Sequence, residues 1–261
     1  MRNGRKDGTV VMKKSNTRRA VETLGKKQYT IAAEGVLVGC GAGVVSILYR
    51  IALDKAGNWT LAILSFCKQH SWFIALWFLI LLALSILTAR LIRLEPLISG
   101  SGIPQVEGEM NDYIHSNWWK VLILKFAAGV LCMFGGLSLG REGPSIQLGA
   151  MVGKGLSRST KRIKTEEKFL ITCGASAGLA AAFNAPLAGV MFALEEMHKN
   201  FSVTVLMSAM GASIAADFIS KYVFGLSPVF HFPDTPMIPL NYYWLLLLLG
   251  ILLGALGAFY N

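Results

Sequence analysis

Residues 169–194, FLITCGASAGLAAAFNAPLAGVMFAL, contain no charged side chain and are interrupted by Asn184, Ala185 and Pro186. Crossing the hydrocarbon core of a bilayer takes about 20 helical residues, and this stretch has 26. Proline inside a helix removes a backbone hydrogen bond and kinks or breaks the helix. Broken helices occur at membrane depth only where they are buried in protein or line a cavity. The stretch therefore predicts a membrane helix that is broken near its middle.

Other apolar segments lie on both sides of this stretch. Several are too short to cross a bilayer straight, and glycine or proline interrupts them. They cover about residues 29–53, 71–92, 118–139, 143–156, 201–224 and 242–261. The pattern predicts an all-α, polytopic membrane protein with tilted and broken helices, whose surroundings are the lipid bilayer.

The composition also favours a membrane protein. Of the 261 residues, 54% are hydrophobic and 15% are charged, whereas soluble domains average roughly 45–50% apolar and about 25% charged residues. Disordered proteins need low hydrophobicity and high charge, so this composition excludes that class. It also leaves too few charges to cover the surface of a water-soluble globule.

Basic residues are concentrated at two places and give the chain a net charge of +10. Nine basic and two acidic residues precede the first apolar segment, and a second basic group lies at residues 158–168. Such flanks mark cytoplasmic segments under the positive-inside rule. We therefore expect residues 1–28 to form an unstructured, basic cytoplasmic tail. No aromatic residue precedes Tyr29, so we expect no nucleic-acid partner.

The cysteines predict neither a disulfide framework nor a metal site, because none of the four belongs to a C-x-x-C pair. Residues 149–155 come nearest to a phosphate-binding loop. They have three residues between the glycines rather than four, and lack the Ser or Thr that would hold magnesium. No other sequence feature indicates an enzyme, and we expect no metal and no cofactor.

Three glycine-rich segments carry the chemistry: GSGIP at residues 100–104, GREGP at 140–144, and GLAAAFNAPLAG at 178–189, which runs on to Glu195 and Glu196. In the first two, proline follows small residues, which suits the first turn of a helix. The free N–H groups and the positive dipole end of such a turn attract anions. Two such helix starts that face one point would make an anion site within the membrane.

In this order and spacing, the three segments resemble signature segments of the CLC family of chloride channels and proton-coupled chloride antiporters. The likeness runs from about residue 30 to the last residue. It implies a homodimer in which each subunit has its own ion pathway and is built from two inverted halves. Residues 29–240 resemble the first membrane repeat, and residues 241–261 resemble the start of a second repeat that is cut short.

The resemblance implies an anion site in which chloride is the transported substrate. Ser101 resembles the serine whose hydroxyl holds the central chloride, and the backbone at Gly102 and Ile103 would supply further ligands. The amides around Gly143 would contribute from the second segment. Some family members prefer nitrate and have proline at the position of Ser101, so serine favours chloride.

Two glutamates carry the proton chemistry that the resemblance implies. Glu142 resembles the gating glutamate, which competes with chloride and accepts a proton, and Glu196 resembles the glutamate that relays protons in the antiporters. The alternatives are a carboxylate that only complements a helix dipole at Glu142 and a surface charge at Glu196. A carboxylate inside a membrane by default marks an ion or proton path. For Lys125, in an otherwise apolar helix, we expect a structural pairing with an interior carboxylate such as Glu107; the alternative is a place in the proton route.

Three functions stay open. The first is a chloride/proton antiporter, and the second is a passive, voltage-gated-type chloride channel, which differs chiefly in whether Glu196 relays protons. The third is an inactive, truncated membrane remnant, because the chain stops inside an apolar run. The family's second-half glycine-rich phenylalanine motif and its gate tyrosine are absent, so we expect residues 1–261 alone not to form the whole site.

Overall fold

The structure, a computed structural model, describes residues 7–70, 72–199, 202–225 and 239–260, with side chains from residue 30 onward. Within these ranges all regular structure is helical and there is no strand, which confirms the all-α prediction. The α-helices are α1 Asp7–Gln69, α2 Trp72–Leu94, α3 Ile103–Met110, α4 Trp118–Phe134, α5 Glu142–Ser159, α6 Lys164–Phe183, α7 Pro186–Phe192, α8 Val203–Phe224 and α9 Trp244–Tyr260.

Four segments of the described chain are long and apolar enough to cross a membrane. They are Thr30–Gln69, Trp72–Leu94, Val203–Phe224 and Leu240–Tyr260. The short helices contrast with them, because α3 has eight residues and α7 has seven. This mixture of full-length spans and short helices agrees with the prediction of a polytopic membrane protein with broken helices.

Helix α1 differs from the sequence-based expectation at both ends. It begins at Asp7, so the prediction of an unstructured tail is wrong for residues 7–28; residues 1–6 lie outside the described part of the chain. It also continues past residue 53, where the first apolar segment was expected to end, and stops at Gln69. The physical reason is that α1 contains no proline, so isolated charges and glycines do not stop the helix.

Small residues bring α1 and α8 into close contact. The glycines at residues 35–43 form a G-x-x-x-G-x-x-x-G pattern, which predicts a surface for close helix packing. The structure confirms this surface. A Cβ at Gly43 would lie 2.9 Å from Ala216 Cα, and a Cβ at Gly39 would overlap the backbone of Ala212. The absence of side chains here lets the two backbones touch.

The contact between α5 and α6 depends on glycine in the same way. A methyl group at Gly149 would overlap the carbonyl of Gly174, and one at Gly174 would overlap the carbonyl of Gly149. Most of α5 beyond its first turn is buried, as is most of α6. Because α6 holds α5 in the core, the first turn of α5 has a fixed position.

The break in the helix lies at Asn184. Helix α6 ends at Phe183, Asn184 takes the left-handed conformation with φ of 55°, and α7 begins at Pro186. The chain then widens into a π-helical turn at Ala193–His198. The predicted break is confirmed, and its cause is the proline at the start of α7 together with an asparagine that tolerates left-handed backbone.

The chain divides into two units, Met1–Leu226 and Ser227–Asn261. In the second unit the described residues form a short 3-10 turn at Leu240–Tyr242 and then α9. The sequence-based boundary between residues 240 and 241 stays a prediction, because residues 226–238 lie outside the described part of the chain.

We expect Gly39→Ala to destabilise the protein by about 1–3 kcal/mol, because its methyl group would push α1 away from α8. The matched control is Gly57→Ala on the same helix, where the new Cβ meets only the flexible end of Met133 at 3.2 Å. The melting temperatures of both variants are measured by heating the proteins in detergent and quantifying the folded fraction by size-exclusion chromatography. Equal melting temperatures for Gly39→Ala and the unsubstituted protein would contradict the close packing.

Candidate anion-binding site

The first helix start belongs to α3, which begins at Ile103. Gly102 immediately precedes it with φ of +97°, a conformation that favours glycine, and Pro104 lies in its first turn. The first N–H groups of a helix have no intrahelical partner. The Ile103 N–H makes only a long contact of 3.4 Å with Ser101 Oγ. Backbone N–H and a serine hydroxyl therefore gather at this end of α3.

The second helix start belongs to α5, which begins at Glu142. Arg141 is its N-cap residue, and no side chain caps the helix. Gly143 and Pro144 follow in the first turn. Pro144 has no N–H and Gly143 has no side chain. The hydrogen-bond donors at this helix start are therefore the remaining backbone N–H groups of the first turn.

The two helix starts touch each other. A Cβ at Gly143 would lie 2.6 Å from Ser101 O and 3.1 Å from Ser101 Cβ, and a Cβ at Gly102 would overlap the side chain of Gln147. The structure thus brings Ser101, Gly102 and Gly143 together, with Ile103 adjacent. Glycine is needed at both positions because any side chain would separate α3 from α5.

Glu142 turns back toward the chain that precedes α5. A Cβ at Gly140 would lie 2.5 Å from Glu142 Oε2, and the Glu142 side chain is partly exposed. The carboxylate therefore lies at the N-terminal end of its own helix, where the positive dipole end favours a negative charge. An anion held at the same helix start would compete with it for this positive end.

Lys125 holds the linker that leads into α3. Its side chain is buried, and Nζ donates hydrogen bonds to Ile98 O at 2.8 Å and Gly100 O at 2.7 Å. The expected pairing of Lys125 with Glu107 is wrong, because the ammonium satisfies two backbone carbonyls instead. The sequence does mark Lys125, as a lysine within the apolar part of its helix, but the carbonyls that it contacts have no sequence signature.

Gln147 supports the same linker from α5. Its Nε2 donates to Leu97 O at 2.8 Å, and the side chain is buried. Gln147 Oε1 is buried and accepts no hydrogen bond from the described part of the chain. Together, Lys125 and Gln147 fix the backbone of residues 97–100, and this backbone sets where Ser101 lies.

Glu196 lies apart from these residues, in a second charged cluster. It is exposed on the π-helical turn after α7, and its charge acts on Lys199. Lys199 Nζ forms an ion pair with Glu107 of α3, and this hydrogen bond raises the pKa of Lys199 above its ordinary value. Helix α3 connects the two places, since Glu107 is five residues from Gly102, about 7–8 Å along the helix axis.

A buried ion pair ties the far end of α3 to α5, and sequence reasoning missed it. The side chains of Lys154 and Glu109 are 2% and 4% exposed and pair with each other. Lys154 Nζ also donates to Ser116 O at 2.6 Å, and Ser116 N donates to Glu109 Oε2 at 2.8 Å. A buried pair needs such additional hydrogen bonds to offset its desolvation. The available signal was a lysine within the glycine-rich, buried α5.

No cluster of three or more His, Cys, Asp or Glu side chains that could hold a metal ion occurs among the described residues. What the described geometry offers at the helix starts is backbone N–H groups and one serine hydroxyl, with a carboxylate beside them. Such a donor set is suited to anions.

Comparison with known proteins identifies similar sequences. Residues 82–261 match a family model described as voltage gated chloride channel. The chain is 35% identical over 244 residues to the H(+)/Cl(-) exchange transporter ClcA of Vibrio cholerae serotype O1, covering 90% of this chain and 52% of that protein. It is 33% identical over 235 residues to the protein of the same name from Yersinia pestis, covering 87% and 49%. The chain thus spans about half the length of these curated relatives.

Solved structures agree with the sequence comparisons. A slow cyanobacterial Cl-/H+ antiporter superposes with a TM-score of 0.78 at 32% identity, covering 87% of this chain and 54% of that chain. A CLC-type fluoride/proton antiporter superposes with a TM-score of 0.68 at 22% identity, covering 88% and 55%, which shows a shared fold.

We expect Lys125→Met to destabilise the protein by about 1–4 kcal/mol, because the buried carbonyl of Ile98 and the partly buried bond to Gly100 lose their donor, at roughly 1–3 kcal/mol for a buried group. Lys120→Met, on the same helix at an exposed position, is the matched control and leaves stability near that of the unsubstituted protein. Thermal unfolding in detergent compares the three proteins. A Lys125→Met variant as stable as the control would show that the ammonium does not hold the linker.

Proposed function

Because the chain belongs to the voltage-gated chloride channel family, we propose that it forms the anion pathway of a membrane transporter that exchanges chloride for protons. The observation that carries this proposal is the meeting of two helix starts at Ser101 and Gly143. The names of the relatives and of the cyanobacterial neighbour support it. These relatives are transporters, and we propose no chemical conversion of a substrate.

Chloride would be held by dipoles. The Ser101 hydroxyl accepts only a long contact from the Ile103 N–H, so its own proton is available for the anion. The Gly102–Ile103 backbone and the Gly143 amide would add N–H donors from the two helices. Aligned dipoles of this kind stabilise a desolvated anion without the strong binding that would stop it from leaving.

Glu142 would act as the gate and as the proton acceptor. In its charged form the carboxylate lies at the helix start where an outer anion would bind, so the two negative charges exclude each other. When Glu142 takes up a proton, it loses this charge and the anion can take its place. Chloride entry and proton binding are then linked at one residue, which is what an exchanger requires.

Glu196 would pass protons toward Glu142 from the other end of α3. Its neighbours Lys199 and Glu107 form an ion pair, and Glu107 lies on the helix whose start holds Ser101. A passive chloride channel is the second candidate function. The observation that favours it is the exposed position of Glu196, away from the residues gathered around Ser101.

The assembly and placement of the protein follow from the same proposal. We propose a multi-pass protein in the lipid bilayer with a cytoplasmic N-terminus and a cytoplasmic basic loop at residues 158–168, as the positive-inside rule favours. We further propose that the protein works as a homodimer. Transport would also need the second half of the fold, which the relatives have.

The gate is tested with Glu142→Gln in the full encoded polypeptide that contains these residues. The amide keeps the volume of the side chain but cannot titrate, so proton movement should stop while chloride still flows. Proteoliposomes with a chloride gradient, a pH electrode and a chloride electrode measure both fluxes. Proton uptake at the unsubstituted rate would contradict the role of Glu142.

The relay is tested with Glu196→Gln, with Glu195→Gln as the matched control on the adjacent exposed residue. Adjacent helical positions point about 100° apart, so the two glutamates cannot share one role. We expect Glu196→Gln to abolish chloride-driven proton uptake and to leave chloride flux, whereas Glu195→Gln keeps both. An unsubstituted protein that moves chloride without protons would indicate the channel instead.

A further inference from the structure

Arg50 on α1 is a cation that the mechanism above does not use. Its Nε and Nη1 atoms are buried and have no hydrogen-bond acceptor within the described part of the chain. Its guanidinium carbon lies 3.9 Å from the centre of the Phe224 ring. Arginine stays charged at every physiological pH, so a permanent positive charge lies against the Phe224 ring.

Arg141 and Asp54 are two charged groups of the described chain that act on Arg50. Arg141 is the N-cap residue of α5, next to Glu142, and its charge repels that of Arg50. Asp54 attracts Arg50 from one turn further along α1, but it is exposed, so water and salt screen its charge. Even with the Glu142 carboxylate counted, the two arginines leave a net positive charge beside the start of α5.

The contact with the Phe224 ring is favourable, but two other features of this arrangement cost stability. Two like charges act on each other, and buried N–H groups without acceptors lose the hydrogen bonds that they made with water. Positive charge beside a site with low-dielectric walls raises the local concentration of anions and their rate of arrival.

We propose that Arg50, together with Arg141, steers the transported anion to the helix start at Glu142. The inference rests on the proposed function, because steering requires an anion that moves along this path. Nε and Nη1 are buried, so Arg50 would act on the anion through its field rather than through these two donors. The field acts on charge, so it attracts all monovalent anions and adds no selectivity among them.

Steering predicts a particular kinetic change. Arg50→Gln should raise the KM for chloride about fivefold on one side of the membrane and leave the KM on the other side and kcat unchanged, because a field acts on arrival. Arg50→Lys keeps the charge and should restore the KM. Increasing an impermeant salt should raise the KM of the unsubstituted protein more than that of Arg50→Gln, since salt screens the field.

The experiment uses planar bilayers containing the full encoded polypeptide, with chloride varied on one side at a time. Lys55→Gln is the matched control, since it removes the same charge from an exposed position five residues along α1. Its KM should stay within about twofold of the unsubstituted value, because exposed charges are screened. The melting temperatures of Arg50→Gln and Arg50→Lys are measured alongside, so that each KM is read from folded protein.

Several results would overturn the proposal. They are an unchanged KM in Arg50→Gln, an equal rise in Lys55→Gln, or a raised KM in Arg50→Lys. If Arg50→Gln does not fold, the salt dependence of the unsubstituted protein and Arg50→Lys decides, and a KM that does not depend on salt overturns steering. An unsubstituted protein without any chloride flux would instead overturn the proposed function, and steering would fall with it.

Discussion

The starts of α3 and α5 meet at Ser101 and Gly143. The first N–H groups of each helix have no intrahelical partner, and the need to give them partners is the constraint on which the rest of the structure depends. In a membrane such groups cannot turn to bulk water, so the protein must supply a partner or a ligand. The same constraint applies to the adjacent carbonyls of Leu97, Ile98 and Gly100, which accept hydrogen bonds from Gln147 and Lys125. No side chain caps α3 or α5, which keeps their donors available for an anion.

Close packing of backbones makes this geometry possible. Glycine at residues 149 and 174 lets α5 lie directly against α6, and the buried pair of Glu109 and Lys154 ties the far end of α3 to α5. Because both helices are fixed along their length, their starts are fixed as well. Preorganised dipoles need no rearrangement when an anion arrives, and this is the physical basis of the proposed transport.

The sequence predicted the fold class, the helix break at residues 184–186 and the glycine surface of α1. Each follows from local chemistry: apolar length, a missing N–H or a missing side chain. It predicted the partner of Lys125 wrongly and missed the pair of Glu109 and Lys154. Those contacts join residues 25 to 45 positions apart in the chain, and backbone carbonyls look the same in every sequence. The helical conformation of residues 7–28 was also missed, since charge alone does not prevent a helix.

The central claim is that one anion binds where α3 and α5 begin. Crystals of the full encoded polypeptide soaked in bromide test it directly, because bromide replaces chloride and gives an anomalous signal. The account predicts a bromide peak within hydrogen-bonding distance of the Ser101 hydroxyl and of the amides at Ile103 or Gly143. A crystal with ordered density for these residues and no bromide peak between the two helix starts would contradict it.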